Sequence, residues 1–274
     1  MVKFVRFVLR EGLTMSIKEV FTNPTVKQVV FQIRFPALFF LEEKIGEYQV
    51  KVMKLFPDSS LLFRKQFVWA DLGPNVELRD VLADKDPQKG AKIWQFRSEK
   101  ETSLNITSES LDISSTHHKT YMLEGGGDKF RDTIQQVVDN FLEVTKIPII
   151  TRVGLRYIDE CPIPTKENDA FKGYYNSAFP LDRFDLKESS EMDVKVVTNK
   201  GPYELRYIES LKKVEEAYKL IMDFDGYSGK IEAKEYLPTT DKLHEIISNE
   251  FERSIKKPLI DFMRAKQEAQ SKNA

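Results

Sequence analysis

The stretch KLIMDFDGY closes an apolar run with Asp223 and Asp225, followed by Gly226. Two aspartates one residue apart at a strand end suit phosphoryl transfer: one carboxylate attacks phosphorus, the other moves a proton, and Mg²⁺ sits between them. That chemistry ordinarily has Thr or Val where Tyr227 stands. It also needs later Ser/Thr, Lys and acidic motifs on parallel strands, which the chain after Tyr227 does not offer. The remaining ligands of a calcium loop are missing too. The segment therefore reads as a strand ending in a turn, with Gly226 supplying permissive backbone. Gly125-Gly126-Gly127 has the composition of a phosphate loop, but no Gly-Lys-Ser/Thr closes it and no apolar strand leads into it. It reads as a hinge ahead of Asp128, an N-cap for the next helix. His117, His118 and His244 have no zinc-like partner at helical spacing, and Cys161, before Pro162, has no adjacent activator. No catalytic residue, metal ligand or cofactor is assigned.

Arginine is the other chemistry-bearing residue. In RVGLRYID, Arg152, Gly154 and Arg156 share one face of a strand, and Val153, Leu155 and Tyr157 the other. Gln32 and Arg34 share the polar face of an earlier strand, and Arg64, Arg97 and Arg206 hold polar positions of theirs. If these strands are neighbours, one sheet surface carries a line of arginines: Arg34, Arg97, Arg152, Arg156 and Arg206. Such a line could recognise anions or an acidic partner through planar donor forks. The plainer expectation is cross-strand ion pairing with acids such as Glu99, Glu101, Asp159 or Glu204. The tetrapeptide LRYI occurs twice, at Leu155–Ile158 and Leu205–Ile208, fifty residues apart, followed by Asp159 and Glu209. The residues upstream of the two copies do not match, so recurrence by chance is preferred over a repeat.

The elements that must position these groups follow from periodicity. KQVVFQIRF alternates as a half-buried strand ended by Pro36. Leu41, Ile45, Tyr48, Val52, Leu55 and Phe56 form a helical stripe stopped by Pro57. Leu61–Trp69 reads as a strand, residues 71–90 as a long loop, and AKIWQFRSEKE and TSLNITSESLDIS as two strands. A second helix carries Phe130, Ile134, Val137, Val138, Phe141 and Leu142, and ITRVGLRYID follows as a strand. Residues 160–185 are irregular. DVKVVTN and GPYELRYIES form a hairpin around Asn199-Lys200-Gly201, SLKKVEEAY is ambiguous between helix and strand, and KLIMDFDGY is a further strand. From Asp241 a long helix runs through Leu243, Ile246, Ile247, Phe251 and Ile255, with Pro258 interrupting it. Strands outnumber helices and often follow each other directly. This predicts an α+β fold of largely antiparallel sheet, with two amphipathic helices in the N-terminal half and a long C-terminal helix. Residues 1–14 are expected to be an extension, 15–264 one domain with a possible division into 15–165 and 166–264, and 265–274 a disordered tail.

Composition bounds the classes. The 274 residues are 41% hydrophobic and 31% charged, a globular balance. Lys plus Arg total 42 against 43 acids, a net charge of −1 that argues against a uniformly basic nucleic-acid binder. One cysteine permits no internal disulfide, and no apolar run reaches the length of a membrane span of about 18 residues or more. A cytoplasmic location without a membrane partner is expected.

VVFQIRFP, the acidic helix ending in Phe56-Pro57, WQFRSE, the serine-rich strand pair, TRVGLRYID and LHEIISNEFERSI together resemble a sporadically distributed family of uncharacterised prokaryotic proteins of similar size. The resemblance covers Val26 to Met263 and leaves residues 1–14 outside. Its motifs are strand edges and helix stripes, so it implies a fold and no established activity. Its patchy distribution implies an association with phage-defence or toxin–antitoxin-like modules.

Three readings follow. The preferred one is a non-enzymatic binding or accessory protein, recognising a protein, a second copy of this chain or a nucleic acid through the arginine face. It predicts a flat arginine-lined surface without a deep pocket. An enzyme with a fold-assembled site, such as a metal-dependent nuclease, predicts three or more convergent carboxylates. A ligand-binding protein predicts an apolar cavity between sheet and terminal helix.

Overall fold

The computed structural model describes residues 19–64, 91–123, 125, 127–214 and 217–265. The expected extension at 1–14, the strand end at 65–69, the loop at 71–90 and the tail beyond 265 lie outside the described residues. So does the side chain of Arg64.

Eleven strands and five α-helices are described, in the order β1 (Val26–Arg34), α1 (Leu41–Val52), β2 (Asp58–Arg64), β3 (Ala91–Arg97), β4 (Thr102–Ile106), β5 (Ser110–Ser115), α2 (Phe130–Thr145), β6 (Ile149–Ile150), β7 (Arg152–Pro162), α3 (Asn168–Tyr174), β8 (Met192–Lys200), β9 (Tyr203–Val214), β10 (Ala217–Ser228), β11 (Ile231–Glu232), α4 (Tyr236–Ser254) and α5 (Lys257–Arg264). The fold is α+β around one large sheet. Nine strands run in the order β2-β3-β4-β5-β1-β7-β10-β9-β8, with β6 and β11 as a separate pair. Every pairing within the large sheet is antiparallel.

Strict period-two alternation sets the two faces of this sheet. Val29, Phe31 and Ile33 of β1 are buried, as are Leu104 and Ile106 of β4, Leu111 and Ile113 of β5, Val153 and Leu155 of β7, and Leu220, Met222 and Phe224 of β10. The helices cover that face. Helix α1 packs against α2, and α4 lies on β7, β10 and β9. Tyr48 of α1 meets Phe141 of α2 and Phe96 of β3 edge-on, and its buried hydroxyl donates to the Val137 carbonyl at 3.1 Å. Gly226 lets α4 approach: a Cβ there would lie 3.3 Å from Ile247 Cδ1. The opposite face mixes charged and polar side chains such as Gln32, Arg156, Asp223 and Asp225 with apolar ones such as Val30 and Ile158.

Several sequence expectations need correction. TSLNITSESLDIS is a hairpin, not one strand; Thr107 Oγ1 accepts from the Glu109 and Ser110 N–H groups and turns the chain between β4 and β5. Asp128 is not an N-cap. Lys129 holds that position with no side-chain cap, while Asp128 pairs with Lys100 at 2.6 Å. SLKKVEEAY continues β9 through Val214 and opens β10 at Ala217. The terminal helix starts at Tyr236, not Asp241. It breaks at Ile255, which is extended, and resumes at Lys257 as α5 with Pro258 in its first turn.

Candidate functional site

The outer face of the sheet holds Arg34, Arg97, Arg152, Arg156 and Arg206. Arg34 lies opposite Arg152, and Arg156 and Arg206 lie on either side of Asp225. Arg97 is on the same face, three strands from Arg34, with Asp58 and Ser103 opposite it. The three central arginines are paired. Arg156 forks onto Asp223 with two bonds of 2.6 Å, while Arg152 reaches Asp225 at 3.3 Å and Arg206 reaches it at 3.0 Å. Arg152 lies flat across Gly154, where a Cβ would come within 2.4 Å of its Nη1. That position also gives it Gln32 Oε1 at 2.9 Å and the Tyr227 ring at 4.7 Å. Arg34 donates to the same Gln32 oxygen and is exposed, as is Arg97.

The acids that neutralise these arginines are Asp223 and Asp225, the aspartates first weighed for phosphoryl transfer. Of the partners expected for them, Asp159 is on the opposite face of the sheet and Glu204 accepts from Tyr227. The two LRYI copies occupy the same register. Leu155 and Leu205 flank Gly226, Arg156 and Arg206 flank Asp225, Tyr157 and Tyr207 flank Phe224, and Asp159 and Glu209 flank Met222. Each copy therefore gives an arginine to the outer network and an acid to the helix-covered face.

On that inner face a cavity of about 140 Å³ lies between β1, β7, α4 and the segment leading into β1. Phe21, Val29, Ile247, Phe251 and Met263 supply apolar wall. Asp159, 6% exposed, accepts a hydrogen bond from Thr25 Oγ1 at 2.8 Å. Burial pushes its carboxyl up from 3.8 to about 7, against the smaller opposing pull of that hydrogen bond. His244, also on the wall, is driven down to about 4 by burial, so the imidazole is neutral at pH 7. Its Nδ1 shares a 3.1 Å hydrogen bond with the Tyr157 hydroxyl. Tyr121 stacks on the imidazole with centroids 4.2 Å apart. Tyr121 is itself fixed by Asp241, which accepts its hydroxyl at 2.8 Å and the Arg131 fork at 2.8 and 2.9 Å. The wall is thus preorganised by a ring stack and an ion pair behind it.

A wider groove of about 590 Å³ runs beside α2. Lys100 and Asp128 pair in its wall, and His118 is held by Ser115 at 2.7 Å and Thr133 at 3.2 Å. Among the described residues no three His, Cys, Asp or Glu side chains are placed to hold a metal. No described helix is long and apolar enough to cross a membrane.

Sequence reasoning passed over Asp159 and His244 as site residues. The signal was present for Asp159. Alternation puts it on the face of Val153, Leu155 and Tyr157, and a carboxyl on an apolar face demands a partner or a purpose. His244 adjoins the apolar stripe of α4 in the same way, between Leu243 and Ile247. No protein-family model matches the chain, and no curated protein or solved structure is significantly similar to it.

Proposed function

We propose that this chain is a ligand-binding protein and that its site is the cavity between the sheet and the C-terminal helices. One observation carries the reading. An apolar cavity has a buried carboxyl and a neutral imidazole in its wall, each held by hydrogen bonds to fixed partners. Pockets of this make-up, mostly apolar with a few convergent polar groups whose ionisation burial has displaced, are the usual form of small-molecule sites. Arg152, Arg156 and Arg206 on the outer face support recognition less well, because Asp223 and Asp225 already pair with them.

The test is a thermal-shift screen of ring-sized fragments on the full chain, repeated on Ser248→Phe and on Arg156→Glu. Ser248 lines the cavity from α4, so a phenyl group there fills it. Stabilisation by fragments that is lost in Ser248→Phe and kept in Arg156→Glu supports the cavity. Stabilisation that is lost in Arg156→Glu and kept in Ser248→Phe moves the site to the outer face and overturns the reading.

A further inference from the structure

The paired LRYI strands contain an internal comparison. Asp159 and Glu209 follow the same tetrapeptide, take the same register on either side of Met222, and are both buried. Glu209 is fully engaged: it accepts the Ser177 hydroxyl on one oxygen and the Ala178 N–H, at 2.8 Å, on the other. A loop closes over it, and it lines neither of the two cavities described above. Asp159 has Thr25 on Oδ1 as its one hydrogen-bonding partner among the described residues. Its side chain forms part of the cavity wall. A buried carboxyl held on one oxygen and open to a cavity is a site for a donor that comes from outside the chain.

The charge of that donor follows from the rest of the wall. The basic side chain in it, Lys119, gives its ammonium to the Thr116 carbonyl at 2.8 Å and the Val26 carbonyl at 3.3 Å, and makes no ion pair with Asp159. At the rim, Glu19 is taken up by Arg264. His244 brings no positive charge at neutral pH. Tyr121, Tyr157 and Phe251 also line the space, and aromatic side chains can attract cations. The wall therefore offers one carboxyl, ionised above about pH 7, with no cation of the chain paired to it among the described residues. Size sets the apolar part. A dry cavity of about 150 Å³ holds one benzene ring, and this one measures about 140 Å³.

We infer that the cavity selects a small organic cation, an ammonium group on an apolar body of about one ring, with the nitrogen held by Asp159 and the body against Val29, Ile247 and Phe251. The inference rests on the cavity being the binding site, and it names the ligand's chemical class.

Isothermal titration of the full chain at pH 8 tests it with benzylamine, benzyl alcohol and benzoate, which share a ring and differ in charge. A capped lysine, run in parallel, distinguishes an ammonium presented by a polypeptide from a free amine; tighter binding of either cation than of benzyl alcohol supports the inference. Benzylamine is expected to bind at least about tenfold more tightly than benzyl alcohol, and benzoate not at all, as for an ion pair sheltered from solvent. In Asp159→Asn that ratio falls to about one while benzyl alcohol binds as before, which also shows that the variant is folded and its cavity intact. If benzyl alcohol or benzoate binds as tightly as both cations, selection for a cation is refuted and the cavity reading stands. If no probe binds, both readings fall.

Discussion

Asp159 makes a prediction about stability that needs no ligand. Replacing it with Asn keeps the side-chain shape and removes the ionisation. Burial raises its carboxyl from 3.8 to about 7 in the folded chain. At ~1.4 kcal/mol per tenfold change in proton affinity, this displacement is worth about 4 kcal/mol. The sign follows from proton counting. Between pH 4 and 7 the folded chain keeps a proton that the unfolded chain has lost, so stability falls as pH rises through that window. Over pH 5 to 8 the loss attributable to Asp159 is about 2.5 kcal/mol. The titratable side chains that share the cavity wall with Asp159 are Glu19, Lys119, Tyr121, Tyr157 and His244, and both chains keep them. His118 and His244, each held down to about 4, impose the opposite slope below the ordinary histidine range of 6.5. Their contributions cancel when wild type is subtracted from variant. Urea unfolding at pH 5, 6, 7 and 8 measures the difference. Asp159→Asn should gain about 2.5 kcal/mol on wild type across that span, about 5–10 °C in Tm for a chain of this size. Parallel stability curves for the two proteins would show that the carboxyl titrates normally and faces water.

Three further outcomes test the frame around the site. A double-mutant cycle of Arg156→Ala and Asp223→Ala, followed by urea unfolding, should give a coupling of about 1–3 kcal/mol, because the pair is bidentate and Asp223 is only 7% exposed; a coupling near zero would make it an ordinary surface pair. Gly154→Ala puts a Cβ where Arg152 Nη1 lies, so it should cost about 1 kcal/mol and abolish the Arg152–Asp225 coupling measured by the same cycle; an unchanged coupling would show that Arg152 reaches Asp225 by another path. Gly226→Val should destabilise by about 1–3 kcal/mol in thermal or urea unfolding, since the new side chain meets Ile247 and Leu243 of α4; a neutral effect would mean that α4 can shift off β10.

The alternation in KQVVFQIRF, RVGLRYID and KLIMDFDGY is strong because one face of each strand is buried under helices and the other meets solvent. That pattern was sufficient to read the α+β class, the antiparallel preference and, for RVGLRYID, the inward residues from the sequence. Strand order was not legible. Nothing local places β1 between β5 and β7, or β10 between β7 and β9, because those neighbours are set by long-range pairing. The β4–β5 hairpin was missed for a local reason. Its turn has no Gly or Pro and is made instead by Thr107, whose side chain bonds the backbone, a weaker sequence signal. The break at Ile255 was placed at Pro258 because a proline is tolerated in the first turn of a new helix as readily as it ends an old one.

The site was harder to see than the fold because its parts have ordinary sequence contexts. LRYI followed by an acid describes Asp159 and Glu209 equally well, and the two strands even share a register. What separates them is contributed from elsewhere in the chain. Ser177 and Ala178, after α3, close over Glu209. Thr25, 134 residues before Asp159, bonds one oxygen of a side chain that lines the space under α4. The partners of the arginines were hidden for the complementary reason. Their alternation was read correctly, but their acids lie on β10, 67 residues on from Arg156 in the case of Asp223. There Asp223 and Asp225 had been weighed as a catalytic pair. A strand pattern states which way a side chain points. Whether it meets a partner, a loop or an empty space depends on the neighbouring strand and the covering helix. In this chain that dependence pairs the arginines on one face of β7 with aspartates of β10 and places the acid on the other face in the wall of a cavity.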